Sequence, residues 1–368
     1  MKIRAAVTRA KSAPMSLEAL ELEEPRDDEI LVRLVATGIC HTDIVMRDQA
    51  YPVPQPIVLG HEGAGVVERV GGGVTKVRAG DHVVMSFNSC GLCPSCADHA
   101  PTYCHDFFGR NFAGARPDGT SPLSGVGGEA IHGNFFGQSS FATHALCHDR
   151  NVVKVRRDAP LELLGPLACG VQTGAGSVIN ALKVGPGHSI AVFGTGSVGL
   201  SAIIAARLVG ATTIIGVDLN ESRLAMAREL GATHTVNPKG LGATETIVKA
   251  TGAGVDFAFE TTGISAVIRQ AMESLAPRGT CGIVGASPIG TEVTLDVPHL
   301  MTAGRTLRGI VEGEATPETF IPTLIDLHLQ GRFPFDRIVK FYPFDRINDA
   351  IHDSEAGATI KPIITMPK

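Results

Sequence analysis

The sequence has no tryptophan and only three tyrosines in 368 residues, and aromatics make up 5%. Its cores must therefore be built from Val, Ile, Leu and Ala, with phenylalanine the one common ring. Charge of one sign is also lacking, since 32 basic and 37 acidic side chains leave a formal net of −5. A chain without a basic excess gives no reason to expect a nucleic-acid partner. Long apolar runs are missing. The stretch around 202–216 is broken by Arg207 and by glycines, so no membrane partner is expected. The opening segment, MKIRAAVTRAKSAP, lacks the apolar centre of a signal peptide, and a cytoplasmic location is the expectation. Short-period repeats and low-complexity linkers are absent too. Disorder is excluded as the general state, because 44% of residues are apolar.

Glycine is abundant, with 43 residues and no G-X-Y period, which implies many tight turns and close backbone approaches. The length fits two domains of about 150 residues each. Residues 1–85 alternate as strands do. The segment 29–40 reads as a strand entering a glycine turn, and 63–87 as strand, turn and strand. A β-rich, barrel-like unit fits this pattern. Residues 86–135 carry little regular signal, and a loop that long calls for a functional or cross-linking reason. From about residue 170 the pattern changes to repeated β-α-β, the sign of a parallel sheet covered by helices. An edge strand at 307–313, helices near 317–330 and 347–357, and a strand ending in KPIITM complete the chain. The expected divisions are 1–168, 169–311 and 312–368.

A glycine turn, Gly194-Thr195-Gly196-Ser197-Val198-Gly199, follows the apolar strand 189–193 and opens a helical run. Gly194 permits the turn, Gly196 lets the backbone approach a pyrophosphate, and Gly199 permits close helix–strand packing. The helix N-terminus offers unpaired N–H groups to phosphates. Asp218 ends the next strand, nineteen residues after Gly199. A carboxylate there accepts bonds from a ribose diol and repels a 2′-phosphate, which favours NAD over NADP. Arg223 follows about a turn later, at the border of the adenosine ribose. Blander readings stay open: a plain turn, a helix cap at Asp218, a solvated Arg223.

Eight cysteines are present, and Cys90, Cys93, Cys96 and Cys104 fall within fifteen residues. Four thiolates so spaced can close one tetrahedral Zn2+ site with no open position, a structural site. An iron–sulfur cluster is the alternative. A second candidate set is dispersed: Cys40 in CHTD, His61 in GHEGAG, Cys169 in LACGVQTG. Two thiolates and one imidazole would bind Zn2+ and leave its fourth position free for an alcohol. Spacing alone does not decide this trio, and Cys147 and Cys281 read as small core residues.

CHTD, GHEGAG, the four-cysteine loop, LACGVQTG and GTGSVG occur in one order. That set resembles the zinc-dependent medium-chain alcohol dehydrogenase family over essentially the whole chain. The resemblance implies an α/β fold with a β-rich part: a GroES-like catalytic domain, a Rossmann doubly wound parallel-sheet coenzyme domain, and a C-terminal return to the catalytic domain. It implies a catalytic zinc on Cys40, His61 and Cys169, a structural zinc on Cys90, Cys93, Cys96 and Cys104, and NAD as coenzyme. By the same resemblance, Glu62 approaches the metal during ligand exchange, Asp43 orients the imidazole, and Thr42 takes the substrate proton. His41 and Lys361 match basic residues near the pyrophosphate, and Thr173 a residue packed by the nicotinamide. Where many members carry a relay histidine, this chain has Val45.

The nearest subgroup resembles the aryl-alcohol dehydrogenases. The rings in 134–141 would then wall a flat apolar pocket, with core packing the equal alternative. The expected reaction oxidises primary, aromatic or allylic, alcohols to aldehydes. Aliphatic, secondary or polyol alcohols and glutathione–aldehyde adducts are alternative substrates, and a non-catalytic zinc module is a remote one. A small-molecule alcohol or aldehyde is the expected partner, and the resemblance implies a homodimer or homotetramer.

Overall fold

A computed structural model describes residues 1–239 and 242–367. Two compact units emerge. The first comprises Met1–Cys169, Thr316–Leu329 and the chain from Asp336 on. The second comprises Gly170–Ala315 and Gln330–Phe335. Against the expected divisions, Cys169 thus packs with the first unit, and residues 312–315 and 330–335 pack with the second, where the Phe333 and Phe335 rings are fully buried.

The first unit is built around strand Glu29–Gly38. Its sequence, EILVRLVATG, is buried along most of its length, so its β-branched and aliphatic residues pack on both faces. Ile30, Leu31, Val32 and Leu34 are 2% exposed or less, and each such side chain contributes about 1.5–3 kcal/mol on burial. Register shifts at Leu31/Val32 and Leu34/Ala36 bend this strand against Gly63–Val70, as barrel corners require. Among the described residues, a seven-stranded sheet runs Val339–Pro343, Lys361–Thr365, Glu29–Gly38, Gly63–Val70, His82–Met85, Val152–Lys154, with His144–His148 also paired to Glu29–Gly38. A four-stranded sheet, Ile57–Val58, Lys2–Thr8, Ser16–Leu22 and Leu123–Gly125, completes the unit. The late strand matters for the site. Ile363 lies opposite Gly38, which brings Lys361 beside the end of the central strand.

Three helices of this unit lacked a sequence signal. A helix, His41–Arg47, begins immediately after Cys40. Two more, Pro94–Ala97 and Phe107–Phe112, lie inside the stretch read as irregular. All are under two turns, too short for a 3.6-residue period to show.

Among the described residues of the second unit, six parallel strands run in the order His234–Val236, Thr213–Val217, Ser189–Phe193, Val255–Glu260, Leu275–Ile283, Thr306–Gly309. Counted along the chain this is 3-2-1-4-5-6, the doubly wound arrangement. The central strand is apolar because helices cover both faces, and Ile190, Ala191, Val192 and Phe193 are wholly buried. The strand order reverses at Ser189–Phe193, and ligands of such sheets bind beyond the carboxyl end at this point. Helix Ser197–Leu208 starts there. Gly199 is required for its seating, since a Cβ would collide with the Gly194 carbonyl. Among the described residues, no helix is long and apolar enough to cross a membrane.

Candidate active site

Three local structures deliver one cluster. Cys40 sits at the N-terminus of helix His41–Arg47, His61 and Glu62 directly precede strand Gly63–Val70, and Cys169 ends the turn Gly165–Ala168. The ligand atoms of Cys40, His61, Glu62 and Cys169 lie within 4.8 Å of one another. Residues separated by up to 129 positions (169 minus 40) therefore meet, all within the first unit.

Asp43 holds this arrangement. Its wholly buried carboxylate lies 2.9 Å from His61 Nδ1 through Oδ1. It also accepts the Gly60 N–H at Oδ1 (3.1 Å) and the Cys40 N–H at Oδ2 (3.0 Å). With the ring proton on Nδ1, the Nε2 lone pair is left for a ligand role. Nε2 is buried and has no hydrogen-bond partner. The Cys169 thiol, hydrogen-bonded to Cys40, holds the Cys40 pKa well below the usual thiol range; burial opposes this, and His61 assists. Burial disfavours the imidazolium of His61, but Asp43 and Cys40 outweigh burial and raise its pKa. Two sulfurs and an orphaned imidazole nitrogen form a donor set that fits a borderline-soft divalent cation such as zinc.

Glu62 is fully buried, and its carboxylate lies 2.6 Å from Lys361 Nζ, which also donates to the Ile39 carbonyl at 3.1 Å. Burial lifts the Glu62 pKa above the usual carboxylate range, and the Lys361 charge opposes it. Gly38 makes room, because a Cβ there would strike the Glu62 carboxylate. Lys361 was expected from the resemblance near a pyrophosphate. The structure engages its ammonium with Glu62, because the C-terminal strand pairs beside Gly38. Thr42 Oγ1 lies 3.7 Å from the Cys40 sulfur, His41 is exposed, and Val45 is half-buried against the core.

The aromatic segment does not stand clear of the cluster. Phe135, Phe136 and Phe141 are 3% exposed or less. Phe136 stacks on His61 with centroids 4.5 Å apart and planes at 29°, and Phe135 meets it edge-on at 5.7 Å. This contact had no sequence signal.

Cys90, Cys93, Cys96 and Cys104 form the second four-ligand group, again within 4.8 Å. Backbone amides point at the sulfurs: Leu92 N and Cys93 N at Cys90 (3.4 and 3.3 Å), Cys90 N at Cys104 (3.2 Å), His105 N at Cys93 (3.4 Å). The Leu92 amide is the main reason that Cys90 titrates near about 6, whereas burial pushes Cys104 up to about 12. Gly91, at φ +74°, supplies the turn between the first two cysteines.

In the second unit, Asp218 is tied to the glycine turn. Thr195 N and Oγ1 donate to its Oδ2 at 2.8 and 2.9 Å, and Asn220 N donates to Oδ1 at 2.9 Å. The helix-cap alternative for Asp218 is not realised, since Asn220 caps helix Glu221–Leu230. Ser197 Oγ and Arg223 Nε are buried without a hydrogen-bond partner. Thr173 Oγ1 donates to Glu312 at 3.3 Å, a carboxylate the sequence did not single out.

A β-rich unit holding a sulfur–imidazole cluster, together with a doubly wound sheet carrying a glycine turn, defines the class of zinc-dependent dinucleotide oxidoreductases. The family described as "Alcohol dehydrogenase GroES-like domain" matches residues 26–157, and "Zinc-binding dehydrogenase" matches residues 197–329. Geraniol dehydrogenase of Castellaniella defragrans is 48% identical over 363 residues, spanning 98% of this chain and 97% of that protein. The crystal structure of benzyl alcohol dehydrogenase from Acinetobacter calcoaceticus is 50% identical, covers 100% of both chains and superposes with a TM-score of 0.97. That of an alcohol dehydrogenase zinc-binding domain protein from Burkholderia ambifaria is 56% identical, with the same coverage and a TM-score of 0.98. The chain therefore belongs to the zinc-dependent medium-chain alcohol dehydrogenase family. It is an alcohol dehydrogenase, and zinc and a nicotinamide dinucleotide are its cofactors.

Proposed function

We propose that this enzyme interconverts primary aromatic or allylic alcohols and their aldehydes with NAD+ as hydride acceptor. The convergence of Cys40, His61 and Cys169 carries the reading. In this reading these three hold the catalytic zinc, and Cys90, Cys93, Cys96 and Cys104 hold the structural one. The bound metal supplies Lewis acidity toward an alcohol oxygen, and the dinucleotide supplies the hydride acceptor.

The chain's own residues do the rest. Asp43 keeps the His61 proton on Nδ1. The Cys40 and Cys169 thiolates balance the charge of a divalent ion, which keeps aldehyde release easy. Thr42 accepts the alcohol proton at Oγ1 as it gives up its own hydroxyl proton. With Val45 in place of an imidazole, that proton passes to solvent. Glu62 stands beside the cluster as a carboxylate tethered by Lys361. Asp218 accepts from a ribose diol, with Gly194, Gly196, Ser197, Val198 and Gly199 at the pyrophosphate and His41 and Arg223 at the coenzyme's edges. Thr173 packs by the nicotinamide. We place the catalytic role in the first unit, which includes Cys169, and the coenzyme role in the second, in a homo-oligomer of the cytoplasm.

Relatives named for geraniol and benzyl alcohol support an allylic or aromatic substrate. Purified enzyme assayed with NAD+ and NADP+ against benzyl alcohol, geraniol, ethanol, cyclohexanol, sorbitol and S-(hydroxymethyl)glutathione tests it. The expected result is the highest kcat/KM for benzyl alcohol or geraniol with NAD+. A higher value for any of the other four, or for NADP+, overturns it.

A further inference from the structure

Residues 134–139 adopt a backbone that few sequences tolerate. Asn134, Phe136, Gly137 and Ser139 all have positive φ, at 60, 51, 64 and 56°, and three of them are not glycine. Left-handed conformations at buried, non-glycine positions persist only where the surroundings over-determine them. Here they do. Asn134 Nδ2 donates to the Ala115 carbonyl at 3.0 Å. Ser139 Oγ donates to the Val58 carbonyl at 2.7 Å and accepts the Phe135 N–H at 2.9 Å. Asn151 Nδ2 donates to the Phe136 and Gly137 carbonyls at 3.3 and 3.1 Å.

Three side chains of this segment reach His61, and two of them, Phe136 and Gln138, carry the argument. Gln138 is 2% exposed. Its Oε1 accepts the Gly63 N–H at 3.1 Å, and its Nε2 donates to the carbonyls of His61 (3.0 Å), Met85 (3.0 Å) and Ser86 (3.2 Å). One amide thus grips the chain on both sides of Glu62 and ties it to the neighbouring strand. Phe136 lies flat on the imidazole and is itself held edge-on by Phe112, at 5.0 Å and 73°. The ring is thus held at its Nδ1 by Asp43, at one face by Phe136 and at its backbone by Gln138, with Nε2 beside the two sulfurs.

We propose that Gln138 and Phe136 are positioning residues for the metal ligand His61, and that the strained 134–139 segment exists to present them. Their effect is to slow release of the ion by keeping Nε2 aimed at it. This rests on the reading of Cys40, His61 and Cys169 as the metal site.

The test is zinc release from the holoenzyme into excess chromogenic chelator, with absorption spectra of the cobalt-substituted enzyme in parallel. Cys169→Ser, expected to carry only the four-cysteine ion, identifies that phase, and if it releases two ions the trio reading itself fails. Gln138→Met and Phe136→Leu should each speed release of the other ion about tenfold, as losses of outer supports to a metal ligand do. The four-cysteine phase should keep its wild-type rate, and the cobalt bands should shift. Wild-type rates and bands in both variants overturn the proposal. So does equal acceleration of both phases, which means general loosening. If Gln138→Met does not fold, Phe136→Leu, which removes no hydrogen bond, carries the same expectation.

Discussion

Replacing Asp43 with asparagine removes one negative charge and almost no volume from the centre of the site. The carboxylate accepts from three donors: His61 Nδ1 and Gly60 N at one oxygen, Cys40 N at the other. An amide offers only one acceptor oxygen. In one orientation its NH2 faces the Cys40 N–H; in the other it faces the Gly60 N–H and His61, and the imidazole proton is driven to Nε2, where it blocks a metal. Loss of a hydrogen bond to a charged group costs about 1.5–3 kcal/mol, and a buried donor left unpaired about 1–3 kcal/mol. Asp43→Asn should therefore destabilise the protein by about 2–3 kcal/mol. For a unit of this size, that is a fall of about 5–10 °C in Tm. Zinc affinity should drop about 10- to 100-fold at one of the two sites. Thermal unfolding with matched metal analysis reads both quantities. A variant with wild-type Tm and wild-type zinc content would refute the role of this carboxylate.

Asp218→Ala should weaken NAD+ by about tenfold or more, the worth of a charged hydrogen bond, and narrow the preference over NADP+. An unchanged kcat/KM ratio between the coenzymes contradicts it. Asp81 predicts a pH effect on stability. Burial would raise its pKa, but Lys154 Nζ at 2.7 Å and the Arg78 N–H at 3.1 Å outweigh burial and lower it. A carboxylate with a depressed folded pKa stabilises above its unfolded value of about 3.9 and loses that contribution as pH falls through the folded pKa. Asp81→Asn should thus be less stable than wild type at neutral pH, with the gap closing in acid below about pH 4. A gap that stays constant from pH 7 to pH 3 counts against the ion pair.

What could be read from the sequence depended on how locally each feature is encoded. The four-cysteine loop announces itself because all its ligands lie within one turn-rich stretch, with Gly91 supplying the positive φ. The glycine turn and Asp218 were equally plain, since strand, turn and helix follow in order. Cys40, His61 and Cys169 were individually ordinary, and only their order in a family pattern made them a set. The Glu62–Lys361 pair was beyond reach, because 299 positions separate partners joined by strand pairing at Gly38. Helix His41–Arg47 was missed because its apolar face has too few residues to repeat. The left-handed run at 134–139 is hidden for another reason: asparagine, phenylalanine and serine there are held by hydrogen bonds with Ala115, Asn151 and Val58 from other parts of the chain, not by their own preference.

Counting zinc and turnover in one preparation tests the open-sided site most directly. The wild-type chain should hold two ions. Cys169→Ser should hold one, still bind NAD+, and oxidise no alcohol. Two ions in that variant, or turnover at the wild-type rate, would contradict a catalytic metal on Cys40, His61 and Cys169.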